Sequence, residues 1–383
     1  ILKGLNMKKV LICTALAKFI KSFLENDILI LQGKGYEVHV AANINHVGAE
    51  GMEKYFQNMN VIFHQVDFSS NKPFSKSTII ASKQFNDIIK KDYFDLVHIH
   101  TPVPGVICRF CCIKSRKKGT VVVYTTHGFY FHSKSSRKTW LIYHNIEKMM
   151  SRFCDAIITI NREDYENAKK MHCKNIYYIH GVGVDVKKFR DVQIERDSYR
   201  KKLGIDINDI LVLAVGELSH RKNHRVIIEA ISKINSCRLV FMICGNSLSE
   251  PETVNEIIEL ANKEHVDLRL MGLRNDIPQI CKCADIGVLP SLREGLGLAG
   301  IEMIASGLPV VASNVHGIVD YVKEGVNGFL ADPNNPDEYA EKLKKLIDKN
   351  IRKKIAEKCS QTVDEFDKAV SNSEMNEVYN ELL

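Results

Sequence analysis

Long apolar runs are missing from this sequence. None approaches the ~18 residues that a membrane-crossing helix requires, and stretches such as Ile210–Val215 are strand-sized. Lys8 and Lys9 lead only into the short run Val10–Leu16, so no secretory signal is expected. The Walker phosphate loop and the Gly-x-Ser-x-Gly nucleophile elbow are both absent, which leaves P-loop NTPase chemistry and that type of serine hydrolysis without a candidate. The 11 cysteines are an odd number with no framework spacing. They fall in apolar contexts (Cys13, Cys154, Cys244) or side by side (Cys111-Cys112), which predicts reduced thiols in a cytoplasmic protein. Cys108-x2-Cys111 has a zinc-like local spacing, but no second ligand pair stands at finger distance, so no metal site is expected.

What remains is an ordinary globular composition: 383 residues, 45% hydrophobic and 26% charged. At roughly 100–200 residues per domain, that length predicts two domains. The net charge of +7 is unevenly spread. Residues 1–185 hold 26 Lys and Arg against 15 Asp and Glu, whereas the remainder holds 27 against 31. Two basic bunches, Lys114–Lys118 and Lys134–Lys138, supply much of the first excess. Either they form a solvated face, or they attract an anionic membrane surface or a phosphate-bearing acceptor. No nucleic-acid partner is expected, since no recognition motif or basic–aromatic interleaving accompanies the charge.

The chain alternates strand and helix from end to end. Short β-branched runs recur at Val10–Cys13, Val38–Ala42, Val61–Val66, Leu96–Ile99, Val121–Thr125 and Ala156–Ile160, separated by stretches long enough for crossover helices, such as Phe19–Gln32. The rhythm restarts after the polar Lys187–Lys202 with Ile210–Val215, Leu239–Cys244, Leu268–Met271, Ile286–Leu289 and Pro309–Ala312. Continuously apolar strands with crossovers mean parallel sheets covered on both faces. The expected architecture is therefore α/β, with two doubly wound, Rossmann-like domains facing across a cleft. The predicted division is 1–185, 186–360, and a C-terminal helix over 361–383 that packs back on the first domain. In such sheets ligands sit beyond the carboxyl ends of the strands.

The stretch that carries most information is Pro290–Glu302, which follows the run Ile286–Leu289. Gly295 and Gly297 let backbone amides approach an anion, and the helix start that follows adds its positive dipole end. Glu294 and Glu302 stand eight positions apart. On one continuous helix that is ~12 Å along the axis. Paired carboxyls that cleave one glycosidic bond stand roughly 5–9.5 Å apart. The two carboxylates read instead as acceptors for different hydroxyls of one elongated ligand, or else as a cap and a solvated helix residue. Gly295-x-Gly297-x-x-Gly300 also matches a dinucleotide fingerprint, but the run Pro309–Ala312 ends in Ser313-Asn314 without the acidic residue that a ribose would need.

Glu294-x7-Glu302 and its surroundings resemble the signature of the retaining GT-B glycosyltransferases of family 4, and five other segments agree in order. Val215–Leu218 with Lys222-Asn223 is similar to the family's phosphate-binding turn, Gly272–Pro278 to its nucleobase loop, and Ala284–Ser291 with Ser306–Ala312 to its last core strands. Thr125–Gly128 is similar to its histidine loop and Gly181–Asp185 to its interdomain junction. The nearest likeness is to bacterial capsule and exopolysaccharide transferases.

The resemblance implies a hexosyltransferase that takes a nucleotide sugar, a UDP-sugar above all, as co-substrate. No other cofactor and no essential metal are expected. The implied acceptor is a saccharide or lipid-linked saccharide, and the implied location is the cytoplasm, peripheral on the inner face of the membrane. Lys222 would pair with the donor diphosphate next to the Gly216 turn. Glu302 would accept ribose hydroxyls, Glu294 would hold the transferred sugar with amides around Gly295, Leu296, Gly297 and Leu298, and backbone at Leu273 and Arg274 would read the base. His127 would meet the sugar from the other domain. One departure stands out: Glu217 occupies a position where the family often has a diphosphate-binding Arg, and Arg221 is expected to supply that second cation. Two alternatives come from other classes, a nucleotide-sugar epimerase on the same fold and a non-catalytic nucleotide-sugar-binding protein.

Overall fold

A computed structural model describes residues 7–46, 48–69, 76–247 and 250–383. The chain divides into two compact units, one running up to Val182 and joined by Ser371–Leu383, the other Gly183–Val370.

The first unit is built on seven strands: β1 (Lys9–Leu16), β2 (Glu37–Asn43), β3 (Ile62–Gln65), β4 (Leu96–His100), β5 (Val121–Thr126), β6 (Ala156–Thr159) and β7 (Asn175–Tyr178). They lie in the order 3-2-1-4-5-6-7, every neighbour parallel. Ile12 on β1 aligns with Val40 of β2 on one side and His98 of β4 on the other. β4 is buried along its whole length, which is why Leu96–Ile99 reads as unbroken apolar sequence apart from His98. The run Phe19–Gln32 is helical as expected, with one widened turn at Ile20–Leu24.

The second unit repeats the plan with β8 (Ile210–Val215), β9 (Leu239–Cys244), β10 (Asp267–Leu270), β11 (Ile286–Leu289), β12 (Val310–Ser313) and β13 (Gly328–Ala331). The order is 10-9-8-11-12-13, again parallel throughout. Each unit is thus a doubly wound, Rossmann-like domain. In the second, strand order reverses between β8 and β11, so the turns after Val215 and Leu289 flank the switch point where such sheets take ligands.

The dividing lines fall at 182/183 and 370/371, where the sequence reading has 185/186 and 360/361. Residues 361–366 stay with the second unit because Val363 and Phe366 are buried there and the Val184 N–H donates to the Phe366 carbonyl at 2.9 Å. The helix Lys368–Leu382 then gives its later turns to the first unit. Glu374 holds His180 at 2.6 Å, and the Tyr379 hydroxyl donates to Asp27 at 3.0 Å.

Candidate functional site

In the second unit, three turns leave the carboxyl ends of neighbouring strands and pack backbone on backbone. Gly216 follows β8 and donates its N–H to the Cys244 carbonyl at the end of β9 at 3.0 Å. A Cβ on Gly245 would lie 1.8 Å from the Gly216 carbonyl oxygen, so only glycine permits this approach. Gly245 in turn bridges to Gly272, at the base of the loop that carries Leu273 and Arg274. Leu273 is 75% exposed at the loop tip. The Arg274 guanidinium is clamped on Asp276 at 2.8 and 2.6 Å. That carboxylate also accepts from the Tyr199 hydroxyl and is held below its ordinary pKa, chiefly by the Arg274 hydrogen bond.

Past Gly216, one tight turn over His220–Lys222 leads into the helix His224–Ile231. Asn223 makes the corner in the left-handed region (φ 54°), and its amide donates to the carbonyls of Pro290 and Pro333 at 3.1 and 2.7 Å. Those bonds tie the turn to the loops after β11 and β13. The Leu292 N–H completes the tie by donating to the Arg221 carbonyl at 2.9 Å. Lys222 and Arg221 therefore arrive on a fixed backbone.

Both cations point at one buried carboxylate. Glu294 Oε1 accepts from Lys222 Nζ at 2.7 Å, Arg221 Nη1 at 2.8 Å and Ser291 Oγ at 2.8 Å. Burial pushes the Glu294 carboxyl up, but Lys222, Arg221 and the Ser291 hydrogen bond outweigh it and hold the pKa down at about 2. Lys222 is mostly enclosed, with 12% of its side chain exposed, whereas Arg221 has 38%. Glu294 stands in the loop and not on the helix, which starts at Leu298 with Gly297 as its cap in the left-handed region (φ 80°). The cap is braced by the Tyr321 hydroxyl, which donates to the Gly297 carbonyl at 3.1 Å; a Cβ on Gly300 would lie 2.2 Å from that hydroxyl. Leu296 is buried beneath the loop, while Gly295, Gly297 and Leu298 are partly open.

Glu302 lies in the second turn of the helix, partly buried. Burial raises its pKa and the charge of Lys188 partly offsets this. The two carboxylates of the motif thus occupy opposite electrostatic settings, one pinned as an anion by two cations and the other drawn towards its neutral form. Glu217, where the resemblance leads one to expect Arg, is half-buried beside Gly216.

His127 belongs to the first unit, just after β5. Its Nε2 lies 3.0 Å from His100 Nδ1, and its ring meets Phe19 edge-on at 4.9 Å. His98 Nε2 contacts Thr125 Oγ1 at 2.7 Å and His98 Nδ1 contacts the Tyr379 hydroxyl at 2.7 Å. Burial holds all three imidazoles neutral: His127 is lowered to about 4, His98 to about 3 with help from the His127 charge, and His100 well below its ordinary value. Asp27, at the far end of this chain of contacts, is pushed up to about 7 by burial.

The structure therefore brings together Gly216, Arg221, Lys222, Glu294 and the Gly295–Leu298 turn, places Leu273 and Arg274 one strand end further along the sheet, and sets Glu302 on the helix behind the loop. Sequence reasoning missed Ser291 and Asn223 as supports; Ser291, three residues before Glu294 in a turn, was the available signal. All cysteines among the described residues are free, and Cys108 and Cys112 are buried. Among those residues no three His, Cys, Asp or Glu side chains converge as a metal site.

Comparison with known proteins finds matches over both units. The family model described as "Glycosyl transferases group 1" matches residues 195–365, and that described as "Glycosyltransferase Family 4" matches residues 30–188. EpsD of Bacillus subtilis (strain 168), which bears a glycosyltransferase name, is 32% identical over 380 residues, covering 97% of this chain and 96% of that protein. The UDP-Gal:alpha-D-GlcNAc-diphosphoundecaprenol alpha-1,3-galactosyltransferase of Escherichia coli is 32% identical over 284 residues, 71% of each chain. Among solved structures, Anabaena Alr3699/HepE in complex with UDP and glucose superposes with a TM-score of 0.77 at 20% identity, covering 98% of this chain and 100% of that one.

Proposed function

This chain belongs to the family 4 glycosyltransferases, with the GT-B fold, and we propose that it moves a hexose or N-acetylhexosamine from a UDP-sugar to a saccharide or lipid-linked saccharide acceptor in bacterial surface-polysaccharide assembly. The observation that carries this reading is the convergence of Lys222 and Arg221 on Glu294 at the switch point of the second sheet. Without donor, the two cations are neutralised by that carboxylate. An arriving diphosphate competes for them: Lys222 and Arg221 turn to its oxygens, and Glu294 is released to accept hydroxyls of the transferred sugar. Arg221 thus fills the place that Glu217 leaves vacant. The amides at Gly295–Leu298 add donors, Glu302 takes the ribose hydroxyls, and the Leu273–Arg274 backbone reads the base.

Transfer then breaks the bond between the anomeric carbon and the diphosphate oxygen, which leaves with the electron pair. Lys222 and Arg221 stabilise the growing charge, so catalysis is chiefly electrostatic. The acceptor hydroxyl attacks on the same face, its proton passes to a diphosphate oxygen, and the anomeric configuration is retained. His127 is assigned to the sugar. Two cations already neutralise the diphosphate, so no metal is required and turnover is expected to persist in chelator. The names of the E. coli relative, with a UDP-Gal donor and a diphosphoundecaprenol acceptor, and of the UDP-bound Anabaena structure support this choice of donor and acceptor. We place the protein in the cytoplasm, peripheral on the membrane.

The test is a panel of UDP- and GDP-sugars offered with and without lipid-linked acceptors, together with UDP titration of variants. Lys222→Ala is expected to weaken UDP binding about thirtyfold, the loss of a charge-assisted hydrogen bond worth about 2 kcal/mol. Arg221→Ala, more exposed, is expected to cost about fivefold. Unchanged affinity in Arg221→Ala removes that residue from the diphosphate site. Conversion of the donor alone points to an epimerase, and UDP binding without transfer to any acceptor points to a non-catalytic binder.

A further inference from the structure

The helix Arg137–Met150 of the first unit carries an outward face that is exposed among the described residues. Lys138, Leu141, Ile142, Asn145 and Met149 recur at helical spacing and all are exposed, Leu141 at 59% and Met149 at 54%. Large aliphatic side chains that repeat on the wet side of a helix mark a contact surface. Charge on this helix is one-sided. Arg137, Lys138 and Lys148 lie along the same outer half, while the helix's only carboxylate, Glu147, turns inward to a buried ion pair with Arg109 at 2.7 Å.

Behind the face lies an apolar cavity of about 240 Å³. Ile142, Ile146 and Met149 form one wall and Val103, Val106 and Ile107 of the helix Pro102–Cys111 the other. Phe110, one turn beyond Val106, is 64% exposed. Gly128 and Phe129 close the end nearest His127. Cations on the same outer half of the helix as exposed aliphatic groups, beside an apolar recess, match the interfacial layer of an anionic bilayer: apolar tips among the upper acyl chains, Lys and Arg stems reaching to phosphates. A second copy of this chain fits less well, because a two-fold contact through this face would bring the same cations against each other.

We infer that the helix Arg137–Met150, with Phe110 beside it, is the surface by which the protein docks on an anionic lipid bilayer. Leu141, Ile142 and Met149 insert, Arg137, Lys138 and Lys148 meet the headgroup phosphates, and the cavity receives the end of one lipid tail. This deepens the peripheral association proposed above, and it leads from the bilayer surface to the loop of His127. No helix among the described residues is long and apolar enough to cross a membrane.

The test floats the full chain with vesicles of phosphatidylcholine alone or with phosphatidylglycerol added. Binding is expected only to the anionic vesicles and should fall as salt rises. Lys138→Glu with Lys148→Glu is expected to reduce the bound-to-free ratio at least about tenfold. Leu141→Ser with Met149→Ser should do the same by removing inserted apolar area. Lys138, Leu141 and Met149 are solvent-exposed and Lys148 partly so, and UDP affinity, which reports on the other unit, should be unchanged in both variants. Vesicle binding is read without turnover, so it stands or falls separately from the donor chemistry. Three outcomes overturn the inference: a wild-type chain that floats with neither vesicle, variants that float as the wild type does, or light scattering that shows pairs of chains which these variants dissolve.

Discussion

The strand ends of the two units handle polar groups in opposite ways. In the second, a buried carboxylate is kept charged by two cations: Lys222 and Arg221 meet Glu294 within 2.8 Å. In the first, His98, His100 and His127 are packed so tightly that burial strips their charge, and Asp27 is drawn the same way. A site that must exchange one anion for another needs charges held in place before the ligand arrives. A site that approaches an uncharged sugar hydroxyl is better served by neutral donors and acceptors. The same doubly wound sheet supports both, since the difference lies in the few residues that follow each strand.

The most direct way to break this comparison is to remove its central anion. Glu294→Ala is expected to lower turnover by about a thousandfold or more, the effect of deleting a group that acts on the reacting sugar in an enclosed site (about 4 kcal/mol). Glu294→Gln keeps the shape and the Ser291 contact but gives up the stabilising charge, so its thermal unfolding, read beside its turnover, separates stability from chemistry. A Glu294→Gln enzyme at wild-type rate would remove the carboxylate from the mechanism.

Acid should divide the two units. An imidazole with a folded pKa below 6.5 stays neutral in the fold and protonates in the unfolded chain, so stability falls as pH drops below 6.5. At pH 5 His98 and His127 each cost about 2 kcal/mol relative to neutral pH, and His100 adds a penalty of the same sign. Asp27, raised to about 7, has the reverse sign: its contribution favours the fold at low pH and is lost as pH rises from about 4 to 7, returning part of the histidine loss. Glu294, lowered to about 2, contributes stability above the unfolded value near 4.5 that is lost as pH falls towards 2. The second unit also holds such a buried imidazole, His224, lowered to about 3 chiefly by burial, so hydrogen exchange at pH 5 against pH 7 should loosen β4 and β5 more than β8 and β11. Equal loosening of both sheets would show that burial does not set the first unit's titration.

The contrast also explains what could be read in advance. The inner strands of both sheets were legible because parallel strands covered on both faces need unbroken β-branched sequence. β7 and β13 were not: each is an edge strand of 4 residues, and Asn175–Tyr178 and Gly328–Ala331 lack such a run. At the proposed donor site, glycines and charged groups cluster in short turns, so Lys222 and Glu294 stood out although 72 positions apart. Ser291 went unassigned because one hydroxyl in a loop has many uses. The first unit's network has no local signature at all, since Tyr379 meets Asp27 across 352 positions and only the fold brings them together.

That long-range contact supplies the gentlest test. The Tyr379 hydroxyl donates to Asp27 and lies 2.7 Å from His98 Nδ1, so it links the C-terminal helix to β4. If it donates to an ionised Asp27, His98 must carry its proton on Nδ1 and accept at Nε2 from Thr125. If Asp27 is protonated, the whole line of donors can reverse. Tyr379→Phe keeps the packing but leaves Asp27 and His98 each short of a partner, for a net cost of about 1 kcal/mol. It also removes a hydrogen bond that holds the Asp27 pKa down, so the decline in stability with rising pH should move to higher pH. In Asp27→Asn that decline should vanish, and the double variant should be more stable than the sum of the two single losses predicts, because both changes act on one contact. Thermal unfolding between pH 4 and 8 measures all three, and strict additivity would show that hydroxyl and carboxylate do not interact.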